Sequence, residues 1–211
     1  MITLIPASDQ DQFAREIDSM HRLRAKIFHD RMKWPVIVSD GGERDHFDTL
    51  NPLYVVGSTD GQVYACARLL PTTGPNMLRD VFPDLLPSGG VSGPTIWESS
   101  RFCVDFEGDC ERSDLLVSQR TAELLSGIVE AGLLIGLEYV VTVVDVAVER
   151  VLRRAGCPCE RLGPPRRIGR SLAIAGMFAM GNDLLASIRK AGDIQGEIID
   201  LRNRSKIPHA A

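Results

Sequence analysis

Four ionisable residues stand inside segments that otherwise read as protein core, and they restrict the folds open to this chain. The segment PTIWESSRFCVD, residues 94–105, has the β-branched and aromatic content of a half-buried strand, yet Glu98 and Arg101 lie in its middle. Arg24 falls within the helical stripe made by Phe13, Ile17, Met20 and Ile27, and Arg68 shares a strand face with Tyr64, Cys66 and Leu70. Charged groups are seldom buried unless paired, and removing one partner of a buried pair costs ~3–5 kcal/mol. A workable fold must therefore bring these positions together. Asp45 and Asp48 in the polar loop ERDHFD supply further carboxylates, so three arginines facing Asp45, Asp48 and Glu98 would balance. Strict alternation places Glu98 with Ile96, Ser100 and Phe102, and Arg101 on the opposite face with Trp97, Ser99 and Cys103. If both serve one site, a bulge or strand end must fall between them.

The remaining chain predicts helices and strands in mixed order. A helix capped by Ser8, with Asp11 three residues on, runs to about Arg31. PLYVVGSTDGQVYACARLLP is a hairpin turning at Asp60-Gly61, followed by a proline-rich loop with a helical turn at MLRDVF. After the WESSRF strand come a helix from Ser113 to about Leu134, a buried strand EYVVTVV and a helix VAVERVLRRAG closed by Gly156. The loop GPPRRIGR, a strand SLAIAGMFAM, a helix DLLASIRKA and a polar tail complete the chain. This order indicates a single α/β domain, 1–211, built as a three-layer α-β-α sandwich around a mixed, largely antiparallel twisted sheet. Neither G-x-G-x-x-G nor a Walker A sequence is present.

Several functional classes are disfavoured. A net charge of −4 argues against nucleic acid as the main partner. The most apolar window, Leu124 to Val144, contains Glu130 and Glu138, which argues against a membrane span, and the start lacks the basic region of a signal peptide. Five cysteines (66, 103, 110, 157, 159) without a secretory signal suit reduced thiols in the cytoplasm. No C-x2-C pair accompanies them and the histidines (21, 29, 46, 209) are distant from Cys157-Pro158-Cys159, so no metal site is expected.

The segments RLRAKIFHDRMKWPV (22–36), ERDHFD (43–48), ARLLPTTGPNMLRDVFP (67–83) and WESSRFCVD (97–105) together resemble the autoinducer synthase family, the LuxI-type acyl-homoserine lactone synthases of quorum-sensing bacteria. Onto the family's signature positions fall Arg24, Phe28, Trp34, Asp45, Asp48, Arg68, Phe82, Glu98 and Arg101. The resemblance implies a fold similar to that of the N-acetyltransferases (GNAT). It also implies an acyltransferase that takes S-adenosylmethionine as amine donor and an acylated acyl carrier protein, or an acyl-CoA, as acyl donor. N-acylation and then lactonisation would release methylthioadenosine, with no separate cofactor. Glu98 and Arg101 would be catalytic; Arg24, Phe28, Trp34, Asp45, Asp48, Arg68 and Phe82 would hold S-adenosylmethionine in the half spanning 1–110. The half spanning 111–211 would carry the acyl chain, with Thr142 and Ser100 beside it; a threonine at the first of these positions goes with 3-oxo acyl groups in the family. Between Arg150 and Arg170 seven arginines face the single acid Glu160, and Arg150, Arg153, Arg154, Arg166 and Arg167 suit docking of an acidic carrier. Two alternatives stand beside this reading: a GNAT-like acyl-CoA N-acyltransferase, or a non-catalytic binding module on the same fold. The first expects an Arg/Gln-x-x-Gly-x-Gly/Ala turn, whereas CVDFEGDCERSD has only Gly108 and is acidic.

Overall fold

The computed structural model describes residues 1–86, 90–105 and 119–200. Its elements, in chain order, are β1 (Ile2–Ile5), α1 (Ala14–Arg24), β2 (Val38–Ser39), β3 (Gly42–Glu43), β4 (Leu53–Thr59), β5 (Gln62–Pro71) and α2 (Met77–Asp80). Then come β6 (Ile96–Val104), α3 (Gln119–Ile135), β7 (Tyr139–Asp145), α4 (Val146–Arg154), β8 (Glu160–Arg161), β9 (Arg166–Ile168), β10 (Ser171–Ala179), α5 (Asn182–Ala191) and β11 (Ile199–Asp200). Nine strands form one sheet in the order β11-β1-β4-β5-β6-β7-β10-β8, with β9 also on β10. All pairings are antiparallel except β1 with β11 and β6 with β7. One face packs against α3, α4 and α5 through Leu4, Val55, Leu69, Trp97, Val140 and their neighbours. The other carries α1 and the loops around β3 and α2. The expected three-layer sandwich is therefore present, and among the described residues no helix is long and apolar enough to cross a membrane.

The hairpin forms as expected. Asp60 and Gly61 both adopt positive φ (51° and 75°), the twist-matched two-residue turn that joins adjacent antiparallel strands. Its register slips between Gly57 and Ser58. In consequence Tyr64 packs with the α3-side core, not on the face of Cys66 and Arg68 where alternation had put it. A side chain at Gly57 would meet the Tyr64 ring at 2.8 Å, so that glycine makes room for the flipped aromatic.

Other expectations are corrected. The first helix does not start at Ser8; a short 3-10 turn covers Ala7–Asp9 and α1 begins six residues later, because β1 first draws the chain into the sheet. Past Arg24 the helix widens into a π-helical stretch, Ala25–Arg31, which lets both Arg24 and Phe28 face the sheet while Ile27 stays buried. The loop GPPRRIGR contains β9 at the sheet's edge. Strand β1 was not anticipated, since Ile2, Leu4 and Ile5 are buried on opposite faces and leave no apolar alternation to read. Ser113, Gly108 and Cys110 lie outside the described residues.

Candidate active site

On the α1 face, three arginines and three acids from five separate segments form one hydrogen-bonded cluster. Arg24 is fully buried; it donates through Nε to Glu43 at 2.5 Å and through Nη1 and Nη2 to Asp48 at 2.8 Å each. Arg68, also fully buried, donates through Nη1 to Asp45 at 2.5 Å and to Asp48 at 2.8 Å, and through Nε to Ser100 Oγ at 3.2 Å. Arg101 reaches Glu43 at 3.1 Å and Asp45 at 2.6 Å. Asp48 additionally accepts from the Asp45 main chain and, at 2.8 Å, from the Tyr54 hydroxyl. Burial alone would raise its pKa, but the Arg24 hydrogen bonds and the Arg24 and Arg68 charges overcome this and hold the carboxyl far below its ordinary 3.8. Three positive and three negative charges thus cancel inside the protein, which makes their burial tolerable.

The third acid is Glu43, not Glu98. Glu43 is fully buried on a two-residue strand, and no periodic signal marks so short an element; its place beside Asp45 in ERDHFD was the only hint. His21, packed edge-on against Tyr54, helps to fix it through a 2.8 Å contact to the Glu43 carbonyl. Glu98 lies apart from the ion pairs. Its two oxygens accept from the main-chain N–H groups of Met77, at 3.0 Å, and Leu78, at 2.5 Å, and so fasten the start of α2 to the sheet. Burial pushes its pKa up from 4.5, while the two N–H bonds and the neighbouring arginine charges pull the other way.

A bulge resolves the parity conflict in β6. Cys66 pairs with Cys103 and Arg68 with Ser100, so β6 has one residue more than β5 between those points, and Arg101 takes positive φ (54°) there. Glu98, Ser100 and Arg101 consequently share the α1 face. Aromatic groups line it: the Phe28 and Trp34 rings stack 5.2 Å apart at 6°, the Arg101 guanidinium lies 5.6 Å from the Phe28 ring centre, and Arg68 lies 5.5 Å from that of Phe47. Phe28 is buried and Trp34 is 39% exposed. Phe47 was not anticipated.

Two expected residues have other neighbours than the charge cluster or the cavity. Phe82 packs with Leu78, Leu85 and Val141 beside α2. Ser100 contacts Arg68 and so does not face the apolar cavity, because the alternation of β6 points its neighbour Ser99 there instead. That cavity, about 30 Å³, lies on the α3 side and is lined by Ser99, Phe102, Ile128, Thr142, Leu152 and Phe178 among others. The Thr142 hydroxyl donates to the Ser99 carbonyl at 2.8 Å. This bond marks a division of the sheet: β6 and β7 pair only from Ile96–Tyr139 to Ser99–Thr142, after which each strand continues on its other partner. Arg150, Arg153 and Arg154 on α4, and Arg166 and Arg167 on β9, are all exposed at the β10 side of the molecule. Arg161, with Nη2 2.6 Å from Glu149, is already paired. Among the described residues no group of three or more metal-ligating side chains is placed to hold an ion.

Residues 9–187 match the family described as Autoinducer synthase. The chain belongs to the autoinducer synthase family. Among this family's members, an acyl-homoserine-lactone synthase of Rhizobium radiobacter is 43% identical over 179 residues, covering 83% of this chain and 84% of that one. Among solved structures, the CoA-dependent acyl-homoserine lactone synthase BjaI, determined with SAM and isopentyl-CoA, superimposes with a TM-score of 0.83 at 26% identity, covering 95% of this chain and 92% of that one. A putative N-acetyltransferase from Lactobacillus plantarum shares the fold alone, with a TM-score of 0.55 at 12% identity over 85% of this chain and 99% of that one. The GNAT-like architecture of this acyltransferase family member is thereby established.

Proposed function

We propose that this protein is an acyl-homoserine lactone synthase that acylates the α-amine of S-adenosylmethionine and then closes the lactone, releasing methylthioadenosine. The observation that carries the reading is the convergence, around the β6–β7 division, of a charge cluster on one face of the sheet and an apolar cavity on the other. A thioester carbonyl placed at that division has the amine donor on one side and room for its acyl chain on the other. S-adenosylmethionine carries a sulfonium, an ammonium and a carboxylate, a net charge of +1. The arginine cluster is internally neutral, so Glu98 is the surplus negative charge that matches it. Phe28 and Trp34 supply an aromatic surface for the sulfonium or the flat base. Support for these ligands also comes from the SAM and isopentyl-CoA bound to BjaI.

In this reading the amine must be neutral to attack. A free α-amino group has a pKa near ~8, so a positioned acceptor is sufficient. Each Glu98 oxygen spends one lone pair on a main-chain N–H and keeps another for the leaving proton, directly or through a water. Main-chain N–H groups of β6 past the division can receive the developing oxyanion. Lactone closure is intramolecular: the carboxylate attacks the γ-carbon and the thioether leaves neutral, so holding the chain folded is the main requirement. Arg24, Asp45, Asp48, Arg68 and Arg101 hold S-adenosylmethionine or the loop above it, and Phe82 supports the α2 loop at the edge of that pocket. The arginines on α4 and β9 favour an acylated acyl carrier protein over acyl-CoA, because such carriers are acidic. The free cysteines at 66, 103, 157 and 159 suit a cytoplasmic setting.

The decisive experiment incubates the purified protein with S-adenosylmethionine and a panel of acyl-carrier and acyl-CoA donors. Methylthioadenosine should appear only when a donor is present, and mass spectrometry of the organic extract should identify the lactone. No lactone from any donor would refute the assignment.

A further inference from the structure

Two thiols face each other across the strands where the bulge begins. Cys66 on β5 and Cys103 on β6 are register partners, the last regular pair before the slip that ends at Arg68 and Ser100. Their sulfurs lie 3.4 Å apart, and both side chains are buried in the core beneath α1. Directly opposed antiparallel residues have Cα atoms about 4.5–5.5 Å apart, inside the roughly 4.4–6.8 Å that a disulfide spans. An S–S bond of ~2.05 Å therefore needs an approach of only about 1.4 Å. Cys157 and Cys159 belong to the core on the opposite face, so the sheet separates them from this pair. Cys66 also donates toward the Arg101 carbonyl at 3.7 Å, which links the thiols to the residue whose positive φ makes the bulge. Nothing in the acyl-transfer chemistry uses either sulfur.

We infer that Cys66 and Cys103 are an oxidative modification site, closed by hydrogen peroxide to a cross-strand disulfide that displaces Arg101 and is reopened by thiol reductants. One sulfur attacks a peroxide oxygen; the O–O bond breaks, water leaves with the thiol proton, and a sulfenic acid forms. The partner sulfur attacks the sulfenic sulfur; the S–O bond breaks and a second water leaves with the second thiol proton. Two thiols are thus oxidised by two electrons while one peroxide is reduced to two waters. Burial excludes bulky disulfides and raises the Cys103 pKa, so the pair stays reduced until a small, uncharged oxidant persists. In the closed form Cys66 has no S–H for the Arg101 carbonyl, and the strands are drawn together beside a backbone already at φ 54°. Arg101 then leaves its contacts with Glu43 and Asp45. The loss of activity rests on the synthase reading proposed above; formation of the disulfide does not.

Peptide mapping of the peroxide-treated protein tests it. Wild type is incubated with hydrogen peroxide, alkylated with iodoacetamide in denaturant, digested and examined by mass spectrometry, with and without dithiothreitol. A peptide pair joined through Cys66 and Cys103 should be the main product at these residues, and dithiothreitol should abolish it. Lactone formation by the same sample should fall at least about tenfold and recover on reduction, since a misplacement of ~1 Å near a reacting centre can cost ~100-fold. Cys103→Ala, which removes the partner sulfur, should lose less than about threefold under the same peroxide. Sulfinic acid at Cys66 or Cys103 without the linkage would overturn the inference, and this result needs no variant to fold. A linked protein with undiminished activity, or a folded Cys103→Ala protein inactivated as fully as wild type, would overturn it as well. If the reduced wild type makes no lactone from any donor, the synthase reading falls, while the linked peptide still decides the disulfide.

Discussion

Glu43→Gln is the sharpest probe of whether the charge cluster is held together by its own balance. Glu43 has no exposed surface; Oε2 accepts from Arg24 Nε at 2.5 Å, and Oε1 accepts from Arg101 at 3.1 Å. A glutamine in the same place offers one oxygen and one NH2. Whichever way it turns, one arginine faces a donor, and a single positive charge goes uncompensated in the interior. Losing a charge-assisted hydrogen bond costs ~1.5–3 kcal/mol, and removing one member of a buried pair costs ~3–5 kcal/mol. Since the amide keeps one of the two arginine contacts, about 3 kcal/mol is expected. For a chain in the 150–250-residue range each kcal/mol moves the midpoint by ~2–4 °C, so Tm should drop by roughly 6–12 °C. Differential scanning calorimetry of both proteins in one buffer measures this. In the same variant KM for S-adenosylmethionine should rise more than KM for the acyl donor, because Arg101 loses its stay while the acyl cavity is untouched. A Tm change under 2 °C would refute the reasoning, since it would mean that the buried arginines do not depend on the Glu43 charge.

Glu98→Gln should lower kcat by about 100-fold, within the usual range for a removed general base, and should abolish the acid limb of the pH–rate profile. In wild type that limb should lie above the ordinary carboxylate value of 4.5, because burial raises the Glu98 pKa. The sign for stability follows: a raised acid favours folding once protonated, so the wild-type protein should gain on Glu98→Gln as pH falls and lose that gain as pH rises through the raised pKa; a pH-independent difference in urea midpoints and an unchanged acid limb would reject both. Thr142→Val should reduce turnover of 3-hydroxyacyl donors more than of 3-oxoacyl donors, since the threonine proton is committed to Ser99 and only its lone pairs face the cavity; competition between the two donors read by mass spectrometry decides, and the opposite order would restore the 3-oxo expectation. Replacing both Arg166 and Arg167 with Glu should raise KM for a carrier-bound donor about tenfold at low salt and leave KM for S-adenosylmethionine alone; carrier kinetics identical to wild type at all ionic strengths would remove docking from β9.

The site was more legible in the sequence than the fold. Arg24, Arg68 and Arg101 stood out because a guanidinium in an apolar element needs a partner, and that argument requires no knowledge of the partner's position. It located the charge cluster but misassigned one acid. Glu98 sits in a regular strand and looked like the ion-pair partner, whereas Glu43, on a strand of two residues, had no period to betray it. The strands missed were those with no alternating pattern to read: β1 is buried on both faces, and β2, β3, β8, β9 and β11 are two or three residues long. Tyr64 changed faces because register shifts depend on what lies opposite, which a single segment does not encode. The β6 bulge was legible only because two residues of opposite parity were both required on one side.

That bulge also explains how one strand can serve two ligand groups of opposite character. Before it, β6 alternates regularly, sending Glu98 and Ser100 toward the charge cluster and Trp97 and Ser99 toward the apolar side. Without the extra residue, Arg101 would point into the cavity lined by Phe102 and Ile128, a charge with no acid to meet it, while Glu43 and Asp45 would lose their link to the sheet. The inserted residue keeps Arg101 on the polar face and returns Phe102 to the apolar one, and it does so just where β6 leaves β7. A non-glycine residue at φ 54° carries a local cost of roughly 1–3 kcal/mol, which the Glu43 and Asp45 ion pairs offset. Deleting Arg101 to regularise the strand should therefore relieve backbone strain yet weaken S-adenosylmethionine binding, because Glu43 and Asp45 would lose the guanidinium that ties their loop to the sheet. A deletion variant that kept both its fold and its affinity for S-adenosylmethionine would show that the irregularity serves neither ligand.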